Sequence, residues 1–288
     1  MTHFTFVTLK QAIKIYSRGG DFMSYLRANT NQQSIAVKRD LDKLQAFSDT
    51  GIPQFSIWTD KNQKVPFLQF SAAPGDGVCI GAGDCLQFCY SFKSWRTFTP
   101  FCRQLQNTIL LDTPEGRGHI LRQLDLQLSK RRYRGKVVDV RLYVDGDFRS
   151  RDEIKWWFDA IESRSVAVYG YSKSLNLFRD IWVEGVQVPS NYKLNLSSGG
   201  KFDHLHDFLL STGADWVRGR FVAVPSVRKA ILDVTRADRR VMFNWAKEEF
   251  GPDSKNVVCP GLCGECTKFG HICGSSKFDG YNVLISTH

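Results

Sequence analysis

Between residues 115 and 286 the apolar positions of the chain alternate between two periods. KVVDVRLYV at 136–144, SVAVYGY at 165–171, YKLNLS at 192–197 and RFVAV at 220–224 are short runs rich in β-branched and aromatic residues, the composition of strands. Between them the apolar residues recur at three- and four-residue steps. Ile120, Leu121, Leu124 and Leu128 mark one helix over 115–131, and Ile154, Trp157, Phe158 and Ile161 a second over 152–163. Shorter helices are expected near 175–182 and 204–211, and a basic one over 227–249. PFLQF at 66–70 opens the series, NVV at 256–258 is a last short strand, and YNVLIS at 281–286 reads as an edge. Strands separated by helices need crossover connections, and crossovers make neighbouring strands parallel. The expectation is an α/β fold over 61–288, a complete or partial parallel β/α barrel. A doubly wound open sheet is the alternative, although no GxGxxG follows an early strand.

Residues 1–60 read as a small N-terminal extension. Ile35, Leu41, Leu44 and Phe47 lie at helical spacing behind Thr30 or Asn31 as N-cap. FSIWTDKNQKVPFLQFS then alternates like two short strands around a polar turn.

Composition narrows the setting. No stretch of the 288 residues approaches the roughly 20 apolar residues a membrane span needs, and the N-terminus lacks the layout of a secretory signal. A cytoplasmic protein without a membrane partner is expected. The formal charge of +10 suggests a polyanionic partner, nucleic acid (DNA or RNA) being the commonest, with a merely solvated basic surface as the alternative. SKRRYRGK at 129–136 nominates Arg131, Arg132 and Arg134 as phosphate contacts, and WVRGRF at 216–221 mixes cations with aromatics in the same way.

The eight cysteines carry the sharpest signal, because the cytosol keeps thiols reduced and because they fall in two groups. Cys259, Cys263, Cys266 and Cys273 form C-x3-C-x2-C-x6-C among glycines, enough thiolates for one zinc or one [4Fe–4S] cluster. Cys79, Cys85 and Cys89 form C-x5-C-x3-C, with Cys102 further on. If Cys102 supplies a fourth ligand, that centre is closed and structural or electron-carrying. If it does not, one iron stays open to a substrate or to S-adenosylmethionine. In a barrel both loops follow strands and share one mouth, with strands 66–70 and 256–258 as neighbours on closure. Other candidates for that mouth also follow strands. Asp145 and Asp147 flank Gly146, where Asp147 is equally suited to capping the next helix; Lys173 ends the next strand. Ser197 and Ser198, with Gly199 and Gly200, would cradle an anion through hydroxyls and amides, and Tyr90 borders the first cysteine loop. Asp145, Asp147 and Lys173 are thus the candidate catalytic residues, and Tyr90, Ser197 and Ser198 the candidate cofactor contacts. His204 and His206, at i and i+2, diverge on a helix and read as structural.

A three-cysteine loop after the first barrel strand resembles the radical S-adenosylmethionine enzymes. Their C-x3-C-x2-C is matched here only by Cys85-x3-Cys89, since Phe92 stands where the third cysteine would be. GAGDCLQFCYSF, VRLYVDGDFRS, VYGYSKS and CPGLCGEC, in that order, resemble the motifs of the gene product 88 family of phage and plasmid proteins over about residues 60–288. The resemblance implies a mobile-element protein with a radical-enzyme-like barrel and a metal. The functional expectation is an iron–sulfur protein acting on nucleic acid or a nucleotide. The competing expectation is a nucleic-acid-binding module in which iron–sulfur or zinc centres only staple loops.

Overall fold

A computed structural model describes residues 4–60, 67–87, 89–261, 266 and 272–287. Three helices lead the chain: α1 (Phe6–Ser17), α2 (Phe22–Asn29) and α3 (Ile35–Thr50). The hydrophobic spacing anticipated α3 but not its start. Its N-cap is Ser34. Thr30 instead closes α2 by donating its hydroxyl to the Leu26 carbonyl at 2.8 Å, and Asn31 accepts from the Gln33 amide at 3.0 Å. The stripes Leu9–Ala12–Ile13 and Leu41–Leu44–Phe47 are fully buried or nearly so, and they share one apolar cluster with Phe101 and Leu105 of α4 (Phe98–Leu110). The N-terminal helices are therefore built into the main core.

The rest of the chain alternates as its pattern requires. β1 (Trp58–Thr59), β2 (Phe67–Phe70), α4, α5 (Pro114–Leu128), β3 (Val138–Leu142), α6 (Arg151–Glu162), β4 (Val166–Ser172), α7 (Leu175–Val183), β5 (Tyr192–Ser197), α8 (His206–Ser211), β6 (Val217–Arg228), α9 (Arg236–Phe250), β7 (Asn256–Val258) and β8 (Asn282–Thr287) follow in order. α5 starts where Pro114 fills the first turn and Thr113 accepts from the Gly116 amide at 3.0 Å. α9 starts later than its basic composition suggests, because β6 runs on to Arg228 and the Thr235–Asp238 capping box fixes the helix start at Arg236.

The strands form one eight-stranded sheet in the order β1-β2-β3-β4-β5-β6-β8-β7, antiparallel between β1 and β2 and parallel at every other pair. Two expectations are corrected. β8 is no edge: it inserts between β6 and β7, pairing with both. β2 and β7 are not neighbours and lie toward opposite ends of the strand order.

Strand alternation separates two faces. Val138, Val140, Leu142, Leu194 and Leu196 meet the helix side, where Trp157, Phe178 and Ile181 are buried against them. The other face carries Phe67, Tyr169 and Val283, clustered with Cys266, Ile272 and Cys273. The second cysteine segment is thus packed against the inner face of the sheet. No helix of the described residues is long and apolar enough to cross a membrane.

Candidate functional site

Parallel strands put the segments that follow them at one edge of the sheet. There the chain encloses a cavity of about 300 Å³ lined from β2's loop through to β7's. Because those strands are far apart in the sheet order, the sheet must curl for their loops to meet.

The first cysteine loop is held by glycines. A Cβ on Gly81 would lie 2.2 Å from the Lys173 carbonyl group, so only glycine permits this approach. The Lys201 amide donates to the Gly81 carbonyl at 2.9 Å, the Cys85 amide donates to the Gly199 carbonyl at 3.2 Å, and Ala82 bridges Gly200. The loop is stitched across the ends of β4 and β5. As a result Cys79, Cys85, Cys89 and Tyr90 all line the cavity, and the Tyr90 hydroxyl donates to the Val144 carbonyl. The three thiols feel one another: burial raises the Cys79 pKa most, Asp147 adds to it, and Cys89 and Cys85 add further. Burial also raises that of Cys85, opposed by Lys173.

Asp147 caps no helix. Ser150 takes that place on α6, accepting from the Glu153 amide at 3.1 Å. Asp147 instead gathers the turn after β4. Its Oδ1 accepts from the Ser172 hydroxyl at 2.7 Å and its own Phe148 amide at 2.8 Å; its Oδ2 accepts from the Lys173 amide at 2.9 Å and from Ser174 N and Oγ at 3.2 and 3.1 Å. Burial raises its pKa, and these donors oppose the rise. With its lone pairs engaged, Asp147 acts as the anchor of Lys173. Lys173 crosses the cavity wall and donates Nζ to the Ser197 hydroxyl at 2.7 Å, and both line the cavity with Ser198.

Several expectations change at this edge. Asp145 is absent from the cavity wall; it is buried behind it, accepting from Gln104 of α4 at 2.8 Å. The Gly199 and Gly200 amides do not cradle an outside anion, because Asp203 already accepts from them at 2.7 and 2.9 Å. Cys102 is fully buried in α4 among core side chains, with Asp40 of α3 as the charge acting on it, and it does not line the cavity. Of the second group, Cys259, Cys266 and Cys273 face the same cavity as the first group, whereas Cys263 lies outside the described residues. Arg131, Arg132 and Arg134 precede β3, at the opposite end of the strands from the cavity. Arg132 is paired with Asp60, and Arg134 donates to the Ser129 carbonyl at 3.3 Å. WVRGRF is no surface patch at all: it leads into and forms the first part of β6, with Arg218 fully buried and Arg220 paired with Asp207.

The strands also contribute wall residues that motif spacing did not single out. Arg141 of β3, Tyr169 and Tyr171 of β4, and Phe221 of β6 line the cavity, with the Arg141 guanidinium 4.6 Å over the Tyr171 ring and Tyr171 against Phe221 at 4.4 Å. Their signal was a polar or aromatic residue at alternate positions of otherwise aliphatic strands. Tyr171 and Cys273 lie on the same stretch of the cavity wall.

The donor set fits a thiophilic metal. Six thiols outside any disulfide line one cavity in two groups, and soft thiolates select zinc or iron–sulfur clusters. Among the described residues no three Cys, His, Asp or Glu side chains stand close enough to share one ion. What the wall offers a small molecule is a cation beside two hydroxyls at one end and an arginine-capped aromatic pair at the other.

The family model described as Gene product 88 matches residues 16–269, and the chain belongs to that family. The match reaches back into the N-terminal helices, beyond the motifs that carry the resemblance. No curated protein and no solved structure matches the chain.

Proposed function

We propose that this member of the gene product 88 family is an iron–sulfur enzyme of the mobile element, acting on a nucleotide-sized substrate at the mouth of a partial β/α barrel. The observation that carries the reading is the division of the first four cysteines. Cys79, Cys85 and Cys89 share the cavity wall, while Cys102 is buried among helices. Three thiolates favour an open centre over a closed one. An iron–sulfur cluster held by them supplies a redox-active iron with one position left for a small molecule, S-adenosylmethionine being the candidate the family resemblance suggests. Cys259, Cys266 and Cys273, with Cys263, are proposed to hold a second centre across the cavity.

The chain's own residues do the binding and orienting. Lys173, steadied by Asp147 through its backbone and by Ser197 through its ammonium, offers a fixed positive charge to a phosphate or carboxylate. Tyr171 and Phe221, with Arg141, offer a face on which a base can stack. A cavity of about 300 Å³ suits one nucleotide better than a strand. The separation of Arg131, Arg132 and Arg134 from the cavity argues against a polynucleotide track leading into it.

Iron and sulfide analysis of anaerobically prepared protein tests this. Cys102→Ser is expected to keep its full iron, and Cys79→Ser or Cys89→Ser to lose one cluster's worth. Adding S-adenosylmethionine should change the electron paramagnetic resonance signal of the reduced protein. A chain that carries only zinc, or that loses iron with Cys102→Ser, overturns the open-cluster reading. Tight, salt-sensitive binding of oligonucleotides that Arg131→Ala, Arg132→Ala and Arg134→Ala together abolish would move the substrate from nucleotide to nucleic acid.

A further inference from the structure

α9 is the crossover that returns from the cavity edge of the sheet, packed against β6 and β7. Its start is tied to the end of β6, where Lys229 pairs with Asp238 at 2.8 Å. That end belongs to the cavity rim. Arg228, the last residue of β6, pairs with Thr287 of β8, which lines the cavity. Val227 before it is buried with Met242 and Ala246 of α9. Alternation along the strand therefore gives the exposed Arg228 the other face, the one that carries the cavity. From Arg228 to Lys247 the chain has six cations and two carboxylates. One of the two, Asp238, is engaged by Lys229 and by the amide and hydroxyl of Thr235.

The other cations form a row. Arg236, Arg240 and Lys247 fall within about 40° of one another around α9 and spread over about 16 Å of its length. All three are exposed, and among the described residues neither they nor Arg228 pair with a carboxylate. The row starts at the rim, because Arg236 opens the helix, and it leads away from there. No single phosphate or carboxylate answers cations spread so far; a chain of phosphates does. Beyond the rim, inside the cavity, lies the stacking face of Tyr171, Phe221 and Arg141. A positive track that ends on aromatic rings is the composition of a single-strand site. SKRRYRGK at 129–136 has the cations but stands at the wrong end of the strands to serve the cavity.

We propose that Arg228 and the α9 row hold the sugar–phosphate chain of a single-stranded nucleic acid while one of its nucleotides occupies the cavity. This rests on the nucleotide reading proposed above and names the form of that substrate: one residue of a strand rather than a free nucleotide. It is independent of any metal, since no cysteine belongs to the row. Contacts of this kind go to phosphate, so they position the strand and read no sequence. The other polyanion that a basic helix can meet is an anionic membrane surface, and it is an outcome of the test.

The test uses the full chain and fluorescently labelled single strands of about 20 nucleotides and mixed sequence, DNA and RNA in separate titrations, followed by anisotropy. With four phosphates neutralised, affinity should fall about 50-fold between about 50 and 200 mM salt. Arg236→Gln, Arg240→Gln and Lys247→Gln together keep good helix formers, should melt with the parent, and should flatten the log–log salt slope by about 2. Lys130→Gln, Arg131→Gln and Arg134→Gln remove the same charge at the other end of the strands and should leave that slope unchanged. Tyr171→Leu, which keeps bulk without the ring, should weaken strand binding about 5–100-fold. Calorimetry with AMP, GMP, CMP and UMP reports on the cavity alone, and the row variant should match the parent there. The proposal is overturned by a parent that binds no strand at the lower salt, or by a slope that the row variant keeps. It is equally overturned by tighter binding of a duplex of the same length, by binding to phosphatidylserine vesicles in place of strands, or by strand binding that Tyr171→Leu leaves untouched. A parent that takes up the monophosphates but no strand sinks only this proposal. A parent that takes up none of them, with Tyr171→Leu altering nothing, defeats the nucleotide reading itself.

Discussion

Replacing Gly81 by alanine should dislodge the first cysteine loop while leaving the second in place. The added Cβ would sit 2.2 Å from the Lys173 carbonyl carbon and oxygen and 2.4 Å from the Ser174 nitrogen. All three atoms are backbone, so no rotamer change relieves the contact. Lys173 and Ser174 are themselves fixed by Asp147, so the cysteine loop is the partner that must yield. Moving it from 2.2 Å to the 3.4 Å at which ordinary contact begins breaks the Lys201–Gly81 and Cys85–Gly199 hydrogen bonds. Two backbone bonds at about 1 kcal/mol each, together with residual overpacking, make a loss of about 2–4 kcal/mol. Urea denaturation of anaerobically prepared protein measures it, and where the proposed centres are loaded, metal analysis of the same sample should show the first depleted and the second retained. Stability within about 0.5 kcal/mol of the parent, with a full metal complement, would refute the claim that this approach holds the loop.

Three further outcomes rest on individual contacts. In α5, Gly118→Ala should stabilise by about 0.5–1 kcal/mol, since its Cβ meets only the mobile end of Arg122, whereas Gly116→Ala should cost about 1–3 kcal/mol against the Leu110 backbone; paired thermal melts decide the signs. Asp147→Asn sets an amide donor against existing donors whichever way it turns, and should cost about 3 kcal/mol in denaturant, a loss under about 1 kcal/mol being the contrary result. Asp238 is held at a pKa of about 2, first by Lys229 and then by Thr235, against an ordinary 3.8. Its stabilising effect is therefore present above pH 3.8 and lost as the pH falls through about 2. Carboxylate NMR should find that pKa, and Lys229→Ala should move it upward.

How far the sequence carried can be judged element by element. β3, α6, β4, α7 and β5 were legible because each is amphipathic or aliphatic at one clear period. α1, α2 and α4 were missed; α4 buries Gln104, Gln106, Asn107 and Thr108 beside its apolar residues, so its core face carries polar side chains that hydropathy alone cannot assign. The shared mouth followed from parallel strands and held, although the neighbouring of β2 and β7 on which it was argued did not. Cys102 shows the limit of spacing. A cysteine thirteen positions from Cys89 reads as a ligand in one dimension, but the turn into α4 directs it to the core. The burial of Arg218 was invisible for a related reason: only a bulge between β5 and β6 distinguishes it from Arg220, and no local pattern announces a register shift.

The insertion of β8 between β6 and β7 has a consequence for biosynthesis. As the chain emerges, β6 and β7 appear first, yet in the finished sheet, among the described residues, β7 touches β8 alone. Until β8 has been made, β7 has no strand to dock on, although α9 is already there to pack against it. Docking of β8 joins β7 to β6 in a single step. The sheet beyond β6 therefore closes only with the later-made strand, whatever the order in which the helices before it have folded.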